Sequence, residues 1–402
     1  MLELETASLG ARFSFVDGSK PNIIVKHILF LTKFVGNAWH FVANQLTDCF
    51  SRVLPGTEHK SGYAMKTSAT YFASAVIAAM ATSAFAGGEV NLYSSRHYDT
   101  DERLYSDFED ATGITVNRIE GKADELMARI EAEGANSPAD VLLTVDTSRL
   151  ARSKNMGILQ SVDSAILEQR VPSYLQDDDN QWFGFSQRSR IIFYDKNDVT
   201  DVPQTYADLA DPKYKNMVCI RSSTNTYNQT LLASIITHTD EATAKTWAQG
   251  VVNNMARAPQ GGDTDQIRGI VSGECEIAVS NTYYFARAIR KNIKGVTDDI
   301  GMVGWVFPDQ DGNGAHMNLS GAGVAAHAPN KENAILFLEY LASDQAQKYF
   351  SAGNDEYPAV PGVGLSSSVA ELGFFKPDDV DLSAVADNIP AAQKIFDQVG
   401  WE

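Results

Sequence analysis

Positive charge is scarce in this chain. Its 402 residues hold 33 Lys and Arg against 51 Asp and Glu, a formal net charge of −18 at pH 7. Such an excess of acid repels nucleic acid and anionic membrane, and it draws cations over a distance. Enzyme signatures are missing as well. There is no G-x-G-x-x-G, no Walker A loop, no G-x-S-x-G elbow and no H-E-x-x-H. No acid–base constellation takes their place, which disfavours an enzyme and favours a binding protein. A clean membrane span is also missing. Ile23 to Leu46 is apolar but broken by Lys26, His27, Lys33, Asn37, His40, Asn44 and Gln45, which makes a poor spanning helix.

What is there begins with an export signal. Met65-Lys66 opens a basic start, Tyr71 to Met80 is apolar and rich in Ala, and Ala84-Phe85-Ala86 forms an A-x-A site before Gly87. Residues 65–86 therefore read as a secretory signal peptide and not as a fold element. No Cys follows the apolar stretch, which argues against a lipid anchor. No twin arginine precedes it, which points to the general export route. Residues 1–64 are an odd extension in front of such a signal. They read as a misassigned start or an unstructured lead, with a second anchor as the lesser reading. Removing residues 1–86 takes away seven basic and five acidic residues and leaves 316 residues with a net charge of −20. That length exceeds what one core usually serves, so two lobes are expected.

The remaining chain alternates strand-like and helix-like segments. Gly88–Tyr93, 115–120 and 139–144 have strand character, and 100–112 and 123–133 have helix character. That alternation argues α/β lobes with parallel sheets. A second α/β series begins after residue 186. A strand returns near Asn318 to Ala326, followed by a helix over 331–350 with Ile335, Leu338 and Leu341 on its apolar face.

Tyrosines recur where strands give way to helices. The run Ile277 to Tyr284 reads as a short buried strand leading into a helix over Phe285 to Lys291, with Tyr283 and Tyr284 at the junction. On a strand, neighbouring side chains point to opposite faces. In the first turn of a helix they sit about 100° apart, so both can lean toward one point. Tyr98 stands where a strand ending near Tyr93 gives way to a helix with acids in its first turn, with Leu104, Phe108 and Ala111 on one face and Gly113 at its end. Tyr227 follows the strand at Val218-Cys219 and opens the apolar run Leu231 to Ile236. Helix N-termini favour anions, here phenolates. A free tyrosine ionises near pH 10. A hard trivalent cation supplies the further help that ionisation needs. Any one of these tyrosines alone reads as an ordinary half-buried packing residue.

The segments Leu-Tyr-Ser-Ser-Arg-His-Tyr (92–98), Arg-Ser-Ser-x-x-x-Tyr-Asn-Gln (221–229) and Asn-Thr-Tyr-Tyr (281–284) together resemble the periplasmic ferric-ion-binding proteins of iron ABC importers. The likeness is greatest to their tyrosine-rich cyanobacterial branch and covers nearly everything from Gly87 to the C-terminus. It implies an α/β, two-lobed periplasmic binding protein fold of type II, with the ligand cleft at a hinge. It implies lobe one as residues 87–186 plus about 311–355, and lobe two as 187–310 plus about 356–402. It implies Tyr98, Tyr227, Tyr283 and Tyr284 as ligands of Fe(III), with positive charge from Arg188 and Arg287. His97 either coordinates or only hydrogen-bonds at the pocket edge. Four phenolates around Fe(III) leave one net negative charge, which a nearby guanidinium neutralises. The implied function is capture of Fe(III) in the periplasm by a monomer and its delivery to an ABC permease in the inner membrane. The alternatives are the same fold binding a polyamine or an oxyanion, or an iron buffer with no transporter.

Other patterns carry less. Asp309 to Gly314 copies half of a calcium loop, but the twelfth position is Ser320 where a bidentate Glu is needed, so it reads as a polar turn. Asp177-Asp178-Asp179-Asn180 reads as a solvated loop of like charges. Gly261-Gly262-Asp263 reads as a turn and cap ahead of a helix. Cys219 and Cys275 lie on or beside strands that run to the tyrosines, and in an oxidising compartment they are expected to form a disulfide, with two buried free thiols as the alternative.

Overall fold

The computed structural model describes residues 87–402 apart from His97 and Asp99, together with Glu5–Thr6 and Ala11–Arg12, which pair antiparallel. The remainder of the lead, the segment 65–86 expected to be a signal peptide, and His97 lie outside the described residues. The chain divides into units 1–85 and 86–402, and the second unit holds the α/β fold.

The first strand of that unit, β1 (Glu89–Ser94), buries Val90, Leu92 and Tyr93. Helix α1 (Asp101–Thr112) comes next and stops at Gly113, whose φ of 73° is left-handed backbone that glycine adopts without strain. Its buried face is Leu104, Tyr105 and Phe108; Ala111, expected on that face, is exposed. Then come β2 (Thr115–Glu120), α2 (Ala123–Glu133), β3 (Val141–Thr144), α3 (Thr147–Asn155), β4 (Leu159–Gln160) and α4 (Ala165–Arg170). The long strand β5 (Phe183–Asp195) opens the second series. It is followed by β6 (Val218–Cys219), α5 (Thr226–His238), α6 (Glu241–Asn254), α7 (Asp263–Val271), β7 (Ile277–Asn281), α8 (Thr282–Arg290) and β8 (Val303–Val306). The chain closes with β9 (Met317–Ala325), α9 (Lys331–Leu341), α10 (Asp344–Asn354), β10 (Tyr357–Pro358), α11 (Ser367–Leu372), α12 (Leu382–Asp387) and α13 (Ile389–Val399).

Three further local expectations need correction. The helix expected over 331–350 is two helices, because Ser343 breaks it: its hydroxyl accepts from the Ala346 N–H and caps α10. Helix α8 starts at Thr282, three residues ahead of Phe285, so both tyrosines already lie in its first turn. Asp177 is not solvated. It is buried, its carboxylate accepts from the Asp179 and Gln181 N–H groups, and Lys154 Nζ lies 2.8 Å away.

The main path of the sheet runs β2-β1-β3-β9-β5-β7-β6. Strands β1, β2 and β3 are parallel to one another, as are β6 and β7, while β9 and β5 run antiparallel to their neighbours. Strand β5 joins the cores. Phe183 and Phe185 belong to a core that also holds Val90, Leu142, Phe337 and Phe350. Further along, Ile192 packs into a core with Trp247, Phe396 and Trp401, and Ile191 and Phe193 pack into a third with Phe285 and Tyr357. The register between β9 and β5 slips at Ser320/Gly321, a bulge of the kind that re-aims side chains beside functional sites. A Cβ on Gly321 would lie 2.6 Å from the Phe183 carbonyl oxygen, so no larger residue fits there.

Cys219 and Cys275 are bonded, as expected, with Cα atoms 5.9 Å apart across a sequence separation of 56. Gly269 lets α7 lie on the bond: a Cβ there would come within 2.7 Å of the Cys275 Sγ. Closing a loop of that length stabilises by about 4 kcal/mol in the chain-entropy treatment. Urea unfolding with and without reductant should therefore show a lower midpoint for the reduced protein. Two reactive thiols in unfolded, unreduced protein would rule the bond out.

Candidate metal centre

The four tyrosines come from three elements that are far apart in sequence. Tyr98 lies in the turn between β1 and α1, and its carbonyl accepts from the Asp101 N–H at 2.8 Å. Tyr227 is the second residue of α5. Tyr283 and Tyr284 are the second and third residues of α8. The junctions at α5 and α8 form because a buried strand ends in polar residues that open a helix, Ser222 to Asn225 for α5 and Asn281 for α8.

The fold brings these phenols together. The Tyr227 and Tyr283 hydroxyls are 3.3 Å apart, and the Tyr283 and Tyr284 ring centroids are 4.1 Å apart. Burial pushes the Tyr98 phenol up to about 12, helped by Glu356 and Tyr227 and opposed by Arg96 and Arg188. Tyr283 is raised well above the usual range, first by burial and then by Tyr227, Tyr284 and Tyr98. Tyr284 is raised as well, by burial and then by Asp263 and Tyr227. Each of these three phenols thus feels Tyr227, and without a cation each resists ionisation.

Guanidiniums face the rings. Arg96 lies 4.9 Å from the Tyr98 ring centroid, and Arg188 lies 5.7 Å from that of Tyr227. Arg287, one turn along α8, lies 5.3 Å from the Tyr283 centroid and 5.9 Å from that of Tyr284. Arg188 is buried. Its Nη1 donates to Ser320 Oγ at 3.0 Å, while its Nε and Nη2 have no hydrogen-bond partner among the described residues. Buried N–H groups are normally satisfied. Two unsatisfied ones here leave charge and donors available to an anionic centre.

Sequence reasoning missed several groups that build this site. Arg96 lies inside the Ser-Ser-Arg-His-Tyr segment, where its nearness to Tyr98 was the available signal. Glu356, Asp355 and Ser320 carried no local signal. Asp263 was read only as part of a helix cap. It is fully buried, and its carboxylate takes Arg190 Nη1 at 2.7 Å, Arg221 Nη1 at 2.6 Å and the Asn281 N–H at 3.3 Å. It thereby ties the ends of β6 and β7 beside the tyrosines. The Asp309 segment is a turn whose carbonyl accepts from the Gly312 and Gly314 N–H groups at 2.9 Å.

A cluster of phenol oxygens backed by cations offers hard donors to a hard cation. The chain belongs to a family of binding proteins: residues 136–372 match the family of bacterial extracellular solute-binding proteins. Within it, the chain is 49% identical over 318 residues to iron uptake protein A1 of Synechocystis sp. (strain ATCC 27184 / PCC 6803 / Kazusa), covering 78% of this chain and 88% of that protein. Two solved structures are similar throughout. The Trichodesmium protein FutA (IdiA), in complex with iron and citrate ligands, aligns with a TM-score of 0.75 at 49% identity, over 78% of this chain and all of that one. The ferric binding protein from Campylobacter jejuni aligns with a TM-score of 0.72 at 41% identity, again over 78% of this chain and all of that one. The fold is the α/β fold of type II periplasmic binding proteins.

Proposed function

We propose that this protein is a periplasmic solute-binding protein that captures Fe(III) and delivers it to an ABC permease for iron uptake. The observation that supports the reading is the 3.3 Å approach of the Tyr227 and Tyr283 hydroxyls, with Tyr284 stacked on Tyr283, Tyr98 close enough to raise the Tyr283 phenol, and three arginines facing the rings. The iron uptake and ferric-binding relatives support it. These phenols become the ligands once the cation displaces their protons. Arg188 and Arg287 offset the surplus negative charge of four phenolates on Fe(III). His97, next to Tyr98 in the chain, either coordinates or hydrogen-bonds at the pocket edge, and in the second case it contributes less than any tyrosine. The iron is bound and released without chemical conversion of a substrate.

Lobe one comprises residues 87–186 with about 311–355, and lobe two 187–310 with about 356–402. Tyr98 then belongs to one lobe and the other three tyrosines to the other, so the shell is complete only when the cleft shuts. The closed monomer is the form the permease recognises. Small-angle scattering should show a smaller radius of gyration with iron than without, and an unchanged radius would mean a rigid cleft or an iron-free form that is already closed.

The deciding test is metal analysis with an absorption spectrum of the loaded protein. A phenolate on Fe(III) gives a visible charge-transfer band, so the solution should be orange to red and the metal iron. A colourless protein with no stoichiometric iron would overturn the reading. The secreted form should begin at or close to Gly87, which mass spectrometry of protein from its host checks. A mature species that retains residues 1–64 would refute the signal at 65–86.

A further inference from the structure

Three consecutive residues at the end of α10 reach several of the groups around the tyrosine cluster. Asp355 has a left-handed φ of 63° and caps α10, its N–H donating to the Phe350 and Ser351 carbonyls. The side chains of Asn354, Asp355 and Glu356 then meet different elements. Asn354 Nδ2 donates to Asp101 Oδ1 at 3.0 Å, and its Oδ1 accepts from the Thr100 hydroxyl. Asp355 is fully buried and holds Arg290 by two bonds of 2.7 Å, and its Oδ2 lies 3.6 Å from Arg287 Nε. Glu356 is buried too. Its Oε2 accepts from Ser186 Oγ at 2.7 Å and from Arg96 Nη1 at 3.3 Å, and its Oε1 lies 3.7 Å from Arg188 Nη1. Arg96 in turn is held by Asp101 through Nε at 3.0 Å and Nη2 at 3.2 Å.

Arg96, Arg188 and Arg287, the arginines that face the four tyrosines, are therefore all anchored by this one segment. The same segment grips residues on both sides of Tyr98, at Arg96 and at Thr100 and Asp101. The geometry points to Asn354-Asp355-Glu356 as the positioning element of the metal centre: it fixes the guanidiniums and sets the place of the Tyr98 turn through its ties to Arg96, Thr100 and Asp101. This rests on the Fe(III) reading. Glu356 does not touch the metal. It acts through Arg96 and Arg188, and its buried carboxylate keeps those cations in place because an uncompensated buried charge is strongly disfavoured.

A double-mutant cycle on the full protein tests this, with Fe(III) titrated against a competing chelator and the visible band recorded. Glu356→Gln keeps the side chain's shape and removes its charge. It is expected to weaken iron binding about tenfold and to move the band toward that of Tyr98→Phe, because the loss of arginine placement outweighs the relief of Glu356's repulsion of the Tyr98 phenolate; stronger binding would mean that the carboxylate acts by charge alone. Placed on Tyr98→Phe, the same change should cost less than about threefold, because its route through Arg96 is already cut and only that through Arg188 to Tyr227 remains. Placed on Tyr284→Phe, it should still cost about tenfold. A merely structural role would lower the urea midpoint, leave the band where it was and add the same cost in both backgrounds. Equal costs in the two backgrounds, or parent-like binding by Glu356→Gln, would overturn the inference while leaving the iron site standing. Failure of the parent itself to bind Fe(III) would overturn the functional reading and this inference together. Should Glu356→Gln not fold, Asn354→Ala carries the same cycle, since it cuts the ties to Thr100 and Asp101 without stranding a buried charge.

Discussion

Tyr283→Phe and Tyr284→Phe should each weaken Fe(III) binding by more than about a hundredfold and change the visible band, in a protein that stays folded. The size follows from what is removed. Partners that merely orient metal ligands are worth about 10–100-fold in metal affinity, and a ligand oxygen is worth more. Folding survives because the phenylalanine ring keeps the packing of the pair at 4.1 Å, and because the Tyr283 hydroxyl meets another phenol, that of Tyr227 at 3.3 Å, and not a buried charge. Tyr98→Phe should also weaken binding, with its larger effect on closure, since Tyr98 is the ligand assigned to the opposite lobe. His97→Ala should cost less than any of these if the histidine only hydrogen-bonds at the pocket edge. Equilibrium titration and spectra of the purified variants decide the matter. If both Tyr283→Phe and Tyr284→Phe bind iron like the parent with an unchanged spectrum, the paired-phenolate site is wrong. A polyamine or oxyanion ligand then becomes the better reading.

Iron affinity should fall steeply as the pH is lowered. Tyr98, Tyr283 and Tyr284 all hold their protons more tightly than a free tyrosine, Tyr98 up to about 12, chiefly because they are buried. All three are neutral phenols near pH 7, so each must release a proton to bind. The sign is set by competition: more protons in solution compete with the cation, so affinity rises with pH and is lost as pH falls. The four phenolates of the proposed shell require four released protons, which makes the dependence about ten-thousandfold per pH unit at fixed free Fe(III). Titration calorimetry in buffers of different ionisation enthalpy counts the protons. Release of fewer than one proton per iron would mean that these phenols do not ionise on the metal.

Much of this architecture is legible in the chain alone. Strand β2 and helix α2 fall on the residues the sequence assigns to them, 115–120 and 123–133, and along α2 the burial of Ala123, Leu126, Met127 and Ile130 follows the helical turn. Gly113 marks the end of α1 for an equally local reason. The tyrosines are legible because a strand-to-helix junction is a feature of a few adjacent residues. The break at Ser343 is readable in principle, since a serine cap is local, but the apolar spacing on either side of it masks the signal.

The sequence by itself therefore determined the α/β elements, the tyrosine junctions and the acidic balance that draws a cation, since these depend on neighbours along the chain. Only the tertiary structure decided which charges serve the site. Arg96 meets Glu356 across a separation of 260 residues, and Arg188 meets Ser320 across 132. No local pattern encodes such pairs. They exist because β5 and β9 lie side by side and α10 ends beside the Tyr98 turn. Once buried, a charge must find its partner there or remain uncompensated at a cost of several kcal/mol.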